Sequence, residues 1–191
     1  PIAIPAGSTT GSATITITDD TLDEDDETVA VTMGVPANAT QGATTVHTLT
    51  ITDNDAAPTV SFTSASQSKA EGAGTATVTA LLSATSGKAV SVPFTVSGSA
   101  TGGGTDYAIT ASPISIAAGS TTGSAMVTII DDPKDEDDET AIVTMGVPDN
   151  ATKGATTVHT LTITDNDTQG LVVSLTTVSV PEAATASFTV R

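Results

Sequence analysis

The sequence predicts an all-β chain of antiparallel β-sandwich units in tandem. Three observations carry that expectation. Apolar residues recur at every second position in short runs, as in Ala13, Ile15 and Ile17 set against Thr14, Thr16 and Thr18. Clusters of Gly, Ser, Pro and Asp separate the runs, and no long segment shows the 3.6-residue period of a helix. Finally, residues 1–55 return almost unchanged as residues 113–167: about 44 of the 55 aligned positions are identical, at an offset of 112. A near-identical repeat with a period of one sandwich domain is a tandem array.

The frame of the repeat divides the chain. Residues 1–56 read as the C-terminal part of one repeat and residues 57–169 as a complete unit. Residues 170–191 read as the opening strands of a further unit, since LVVSLTTVSVPEAATASFTVR resembles PTVSFTSASQSKAEGAGTATVTA. The chain begins at Pro1 and shows no signal peptide, so it is expected to be a piece of something longer. Only 2% of the residues are aromatic, so the core must be built from Val, Ile, Leu and Ala, which suits several thin β modules.

The strands follow in order. Residues 13–18 form one with an apolar and a Thr face. In the complete unit strands are expected over roughly 58–64, 75–82 and 89–97. The next strand turns Ala125, Val127 and Ile129 inward, the one after it Ala141, Val143 and Met145, and the last Leu161 and Ile163. His47 and His159 share the core parity of their strands and are expected to pack there.

That parity places the acids. Continued past Ile129 it reaches Asp131, and continued back from Ala141 it reaches Glu139. Past Ile163 it reaches Asp165. If the strands flanking the DPKDEDDE loop form a hairpin, all three carboxylates meet at one pole, facing inward. Gathered carboxylates repel: at ~4 Å and an effective dielectric of ~20, a like-charged pair costs roughly 4 kcal/mol before relaxation. Three acidic groups (Asp131-Asp132, residues 135–139, Asp165-Asn166-Asp167) at one pole therefore call for a counterion. Ca²⁺ accepts 6–8 oxygen ligands in flexible geometry, Mg²⁺ is stricter, and zinc wants His or Cys. With no Cys and one His per repeat, Ca²⁺ fits best. The spacing is not that of an EF-hand.

These residues, IIDD, DEDDET and a closing TITDND, preceded by AEGAG and GTDY, resemble the Calx-beta domain family over the whole unit and both fragments. The resemblance implies an immunoglobulin-like β-sandwich with calcium ions at one end, about two in number. It implies as ligands Glu71, Asp106, Asp131, Asp132, Glu136, Glu139, Asp165 and Asp167. Asn166 stands where family members often carry a further acid, and Pro133 where some carry an Asp. The N-terminal fragment keeps Asp19, Asp20, Glu24, Glu27, Asp53 and Asp55 but has no counterparts of Glu71 and Asp106; the C-terminal fragment supplies only Glu182, the counterpart of Glu71.

Other signals are weaker. The glycine run 102–104 lacks the Lys and helix of a phosphate loop, and the Thr ladders and Asn-x-Thr triplets at Asn38, Asn150 and Asn166 are common at this Thr content. A net charge of −17 argues against nucleic acid and anionic membrane surfaces, and no apolar run reaches a membrane span. With one Tyr, no Trp and no Cys, neither a sugar site nor a nucleophile is in view, and the chain is not expected to be an enzyme. The expected role is a calcium-binding structural repeat that stiffens a large extracellular surface protein or adhesin. The alternatives are a calcium-sensing regulatory module and a ligand-binding adhesive module. Expected partners are calcium ions and neighbouring repeats, or copies of the chain that complete its terminal fragments by strand donation.

Overall fold

The computed structural model describes residues 1–168 and 181–182. Among them are thirteen strands and one 3-10 turn at Glu71–Ala73. The strands are β1 (Glu27–Thr32), β2 (Val46–Ile51), β3 (Thr59–Phe62), β4 (Ser66–Ala70), β5 (Thr75–Leu82), β6 (Val90–Val92), β7 (Phe94–Ser97), β8 (Tyr107–Ile109), β9 (Ile114–Ile116), β10 (Thr122–Ile129), β11 (Glu139–Met145), β12 (Thr152–Lys153) and β13 (Val158–Thr164).

Residues 58–164 form a β-sandwich. One sheet runs β12-β3-β5-β10-β8 and the other β4-β13-β11-β7, with β6 and β9 paired beside them. Most pairs are antiparallel; β13–β4 and β12–β3 are parallel. The two sheets share one core, in which Val60, Val78 and Val127 of the first meet Val143, Met145 and Leu161 of the second. Burial alternates strictly along β5 and the second half of β10, as the period-two pattern requires.

The expected strand over 89–97 is two strands. Pro93 has no N–H to donate, and the run changes partners there: β6 pairs with β9, and β7 with β11. The strands flanking the acidic loop do not form a hairpin. β10 and β11 lie in different sheets, so the loop between them crosses from one sheet to the other at the pole. The antiparallel return from β11 to β13 is as expected, with Glu139 opposite Ile163.

Residues 1–55 repeat the β11–β13 pair in the same register. β1 and β2 are antiparallel, with Glu27 opposite Ile51. The strand expected at residues 13–18 is absent: that stretch is exposed and unpaired. Its counterpart β10 is held between β5 and β8, whereas no strand among the described residues flanks residues 13–18. His47 is exposed, contrary to expectation, whereas His159 is buried. Among the described residues no sheet faces β2, so the side chains on its core parity are exposed or only half-buried.

Candidate metal centre

Four connections converge at the pole of the complete unit. The parallel pairing of β4 with β13 sets Ala70 beside Thr164. The next residues along each strand, Glu71 and Asp165, are thereby brought together. The 3-10 turn then leads into β5, and Gly74 accepts a hydrogen bond from the Ile129 amide, which ties the turn to the end of β10. On the other side of β10, Ile129 pairs with Tyr107 of β8, and the Ile130 amide donates to the Asp106 carbonyl at 2.9 Å. Asp106 therefore sits immediately beside the strand end that presents Asp131 and Asp132.

Carboxylate oxygens of Glu71, Asp165 and Asp167 lie within 4.8 Å of one another. Glu71 is 6% exposed, and its Oε2, like Oδ2 of Asp167, is buried without any hydrogen-bond partner. Buried unpaired carboxylate oxygens are costly and rare. Burial pushes the Glu71 carboxyl above its usual range, and Asp165, Asp132, Glu136 and Asp167 push it further. Burial does the same to Asp167, helped by Asp165, Asp131, Asp132 and Asp135.

A carboxylate pair, Glu139 and Asp106, lies beside this group of three. Burial raises the Glu139 carboxyl, followed by its hydrogen bond to Asp106 and the charges of Asp106 and Glu136. Lys134 pairs with Glu136 and opposes that rise.

Asp131 and Asp132 are exposed at the rim, so Asp131 is not turned inward as the parity argument expected. The β10 ladder stops at Ile129, so the alternation that would aim Asp131 at the core has lost its support. They act here through other contacts: Asn166 Nδ2 reaches Asp131 Oδ1 at 3.4 Å, and Asp132 Oδ1 accepts from the Lys134 amide at 2.9 Å. Sequence reasoning passed over Asp138, whose Oδ1 accepts from the Asp165 amide at 3.2 Å and so positions the closing acids. The sequence does not single it out, because every acid of residues 23–27 recurs in 135–139.

In the N-terminal fragment the same scaffold recurs. Asp26 accepts from the Asp53 amide, Asn54 donates to Asp19, Asp20 accepts from the Leu22 amide, and Asp53 accepts from the Asp55 amide. Each is the counterpart, 112 residues earlier, of a contact in the complete unit. Asp19, Asp20, Glu24, Glu27, Asp53 and Asp55 line one depression. Burial raises Glu24, as do the charges of Asp20, Glu27, Asp53 and Asp55; Asp55 is raised in the same way, by burial and then Asp53. Glu182 is exposed, and the strands expected around it lie outside the described residues.

The donor set at the pole is all carboxylate oxygen, with further Asp and Asn oxygens at its rim. Such a set suits a hard cation with many oxygen ligands, and Ca²⁺ in particular. His159 takes no part: its Nδ1 is 2.7 Å from the Ser64 carbonyl and its ring meets Phe62 edge to face.

The sequence model of the Calx-beta domain matches residues 4–55 and 53–167. Crystal structures with a similar fold include the apo-form Calx CBD1 domain. It has 20% identity and a TM-score of 0.52, covering 58% of this chain and 98% of that one. Another is the calcium binding domain CBD12 of CALX1.1, with 22% identity and a TM-score of 0.51, covering 56% of this chain and 44% of that one. The Calx CBD2 domain has 13% identity and a TM-score of 0.50, covering 56% and 86%. No curated protein sequence matches the chain.

Proposed function

Because the chain belongs to the Calx-beta domain family, we propose that it is a calcium-binding segment of a tandem β-sandwich array. In this reading residues 57–169 are a complete repeat, 1–56 the end of one and 170–191 the start of another. Ca²⁺ is held by Glu71, Asp165 and Asp167, with Asp106, Asp131, Asp132, Glu136 and Glu139 completing its shell. The observation that carries the reading is the pair of buried, unpartnered oxygens on Glu71 and Asp167, in a cluster of three carboxylates.

The role is structural. An ion at the pole after β13 neutralises the acids next to the connection to the following unit and stiffens the array. A cysteine-free chain of near-identical repeats suits a long extracellular stalk or adhesin, where calcium is plentiful and another staple replaces disulfides. Among the described residues no helix is long and apolar enough to cross a membrane.

Calorimetric titration of Ca²⁺ into chelator-stripped protein, with thermal melts alongside, tests this. The expected outcome is saturable heat and stabilisation of about 2.7 kcal/mol at a hundredfold excess over Kd. Asp165→Asn is expected to remove most of both. Unchanged heat and melting would leave the pole as a solvated surface. The affinity decides the role: near-millimolar binding supports the extracellular stalk, and micromolar binding a sensing module.

A further inference from the structure

The acidic loop of the first unit touches the second, and it does so through a residue outside the expected ion ligands. Asp23 is 5% exposed although it lies in the most acidic stretch of the fragment. Its burial comes from the β5–β6 connection of the complete unit. Asp23 and Ser86 form an isolated parallel bridge, with the Gly87 amide donating to the Asp23 carbonyl at 3.0 Å. Ser86, itself 1% exposed, turns its hydroxyl toward the Asp23 carbonyl and Oδ2, both at 3.2 Å. Lys88 Nζ lies 2.7 Å from Asp23 Oδ1 and 3.3 Å from the Glu24 carbonyl, with Asp25 at 4.0 Å. The hydrogen bond to Asp23 raises the Lys88 ammonium above its usual value.

The receiving loop is built for this contact. Ser86 Oγ accepts from the Lys88 amide at 3.0 Å, and the Ser86 carbonyl accepts from Gly119 at 2.9 Å, so both polar ends of Ser86 are anchored. A Cβ on Gly87 would stand 2.7 Å from Glu24 Cγ, so a side chain there would have to displace that of Glu24.

We propose that Ser86-Gly87-Lys88 is a docking surface for the acidic loop of the preceding repeat, with Asp23 as the docking residue. The loop then divides its acids by task. Asp23 meets the next unit, Glu24 faces the pole and Asp26 holds the amide of Asp53. The two copies differ in a way that fits. In the complete unit Lys134 supplies a cation to its own loop by pairing with Glu136, and Asp135, the counterpart of Asp23, is exposed. In the first copy Leu22 replaces that lysine, and the cation arrives from the neighbouring unit as Lys88. In a longer array Asp135 would be the residue that meets the next unit. The hydrogen bonds and ion pairs of the contact use no side chain of the proposed ion ligands, so it stands apart from the calcium reading.

The chain has no cysteine, so two introduced ones label it uniquely. Spin labels at Thr32→Cys and Thr144→Cys, both exposed positions, would report the distance between the units by pulsed electron resonance in the full 191-residue chain. A single narrow distribution is expected, broadened several-fold by Asp23→Asn or Lys88→Gln. Asp135→Asn, the same charge change in the uncovered copy, should leave it narrow. Equal widths in all variants, a broad distribution in the parent, or equal broadening by Asp135→Asn would each overturn the proposal. Calcium heats measured on the same samples separate the two readings. Lost heat with the distance pattern intact sinks only the ion site, and the reverse sinks only the docking surface.

Discussion

Glu71 enters the pole from β4, whose sequence Ser-Gln-Ser-Lys-Ala carries no apolar alternation. Its side chain is more buried than any other proposed ligand in the complete unit, and its Oε2 has no partner. Without an ion, the ionised form therefore destabilises the fold; with one, the same charge is the strongest reason for binding. Glu71→Gln separates these effects. The variant should melt above the parent in chelator, because the neutral amide escapes the repulsion of Asp165, Asp132, Glu136 and Asp167. In saturating Ca²⁺ it should melt below the parent. A substitution that lowered both melting temperatures would show Glu71 to be a packing residue only.

At the scale of the element, one sequence meets two fates. Residues 10–17 and 122–129 are counterparts, yet the second is β10, locked between β5 and β8, and the first pairs with no strand among the described residues. Val143 is 1% exposed while its counterpart Val31 is 42% exposed, and Met145 and Met33 stand at 2% and 48%. Strand propensity and alternation are the same in both copies, so what differs is the partner sheet. Hydrogen exchange should read this directly. Amides of Ala125 to Ile129 should be protected, while those of Ala13 to Ile17 should exchange at nearly the rate of an open chain. Comparable protection in both stretches would mean that residues 10–17 find a ladder of their own.

The whole molecule carries a charge of −17, and its pH response should follow from the strained carboxylates. Glu71, Glu139 and Asp167 have folded values raised above their ordinary ones, chiefly by burial. The folded state therefore holds protons more tightly than the unfolded one between the ordinary and the raised value. The stability this contributes is fully present below the unfolded value and lost as pH rises through the folded one. In chelator the melting temperature should rise as pH falls through the raised values toward the ordinary carboxylate range. In saturating Ca²⁺ the trend should reverse, because the ion needs ionised ligands and loses affinity to protons. Parallel trends in the two buffers would argue against these carboxylates as the ion's ligands.

Much of this was legible in the residues themselves. Alternation identified β5, β10, β11 and β13, and the repeat matched the β1–β2 pair to β11–β13. The grouping of Asp131-Asp132, the 135–139 run and Asp165-Asn166-Asp167 marked the pole. These features are written locally, in period and spacing. The partners of each strand are not. Only the tertiary structure put β10 and β11 in different sheets, ran the polar β4 parallel to β13 so that Glu71 meets Asp165, and left Asp131 at the rim where the ladder ends. It also aimed Asp23 at Lys88, a choice that no alternation or spacing within the acidic run encodes. Local pattern determines which face of a strand is apolar. Whether that face is buried depends on long-range pairing, and so on the rest of the chain.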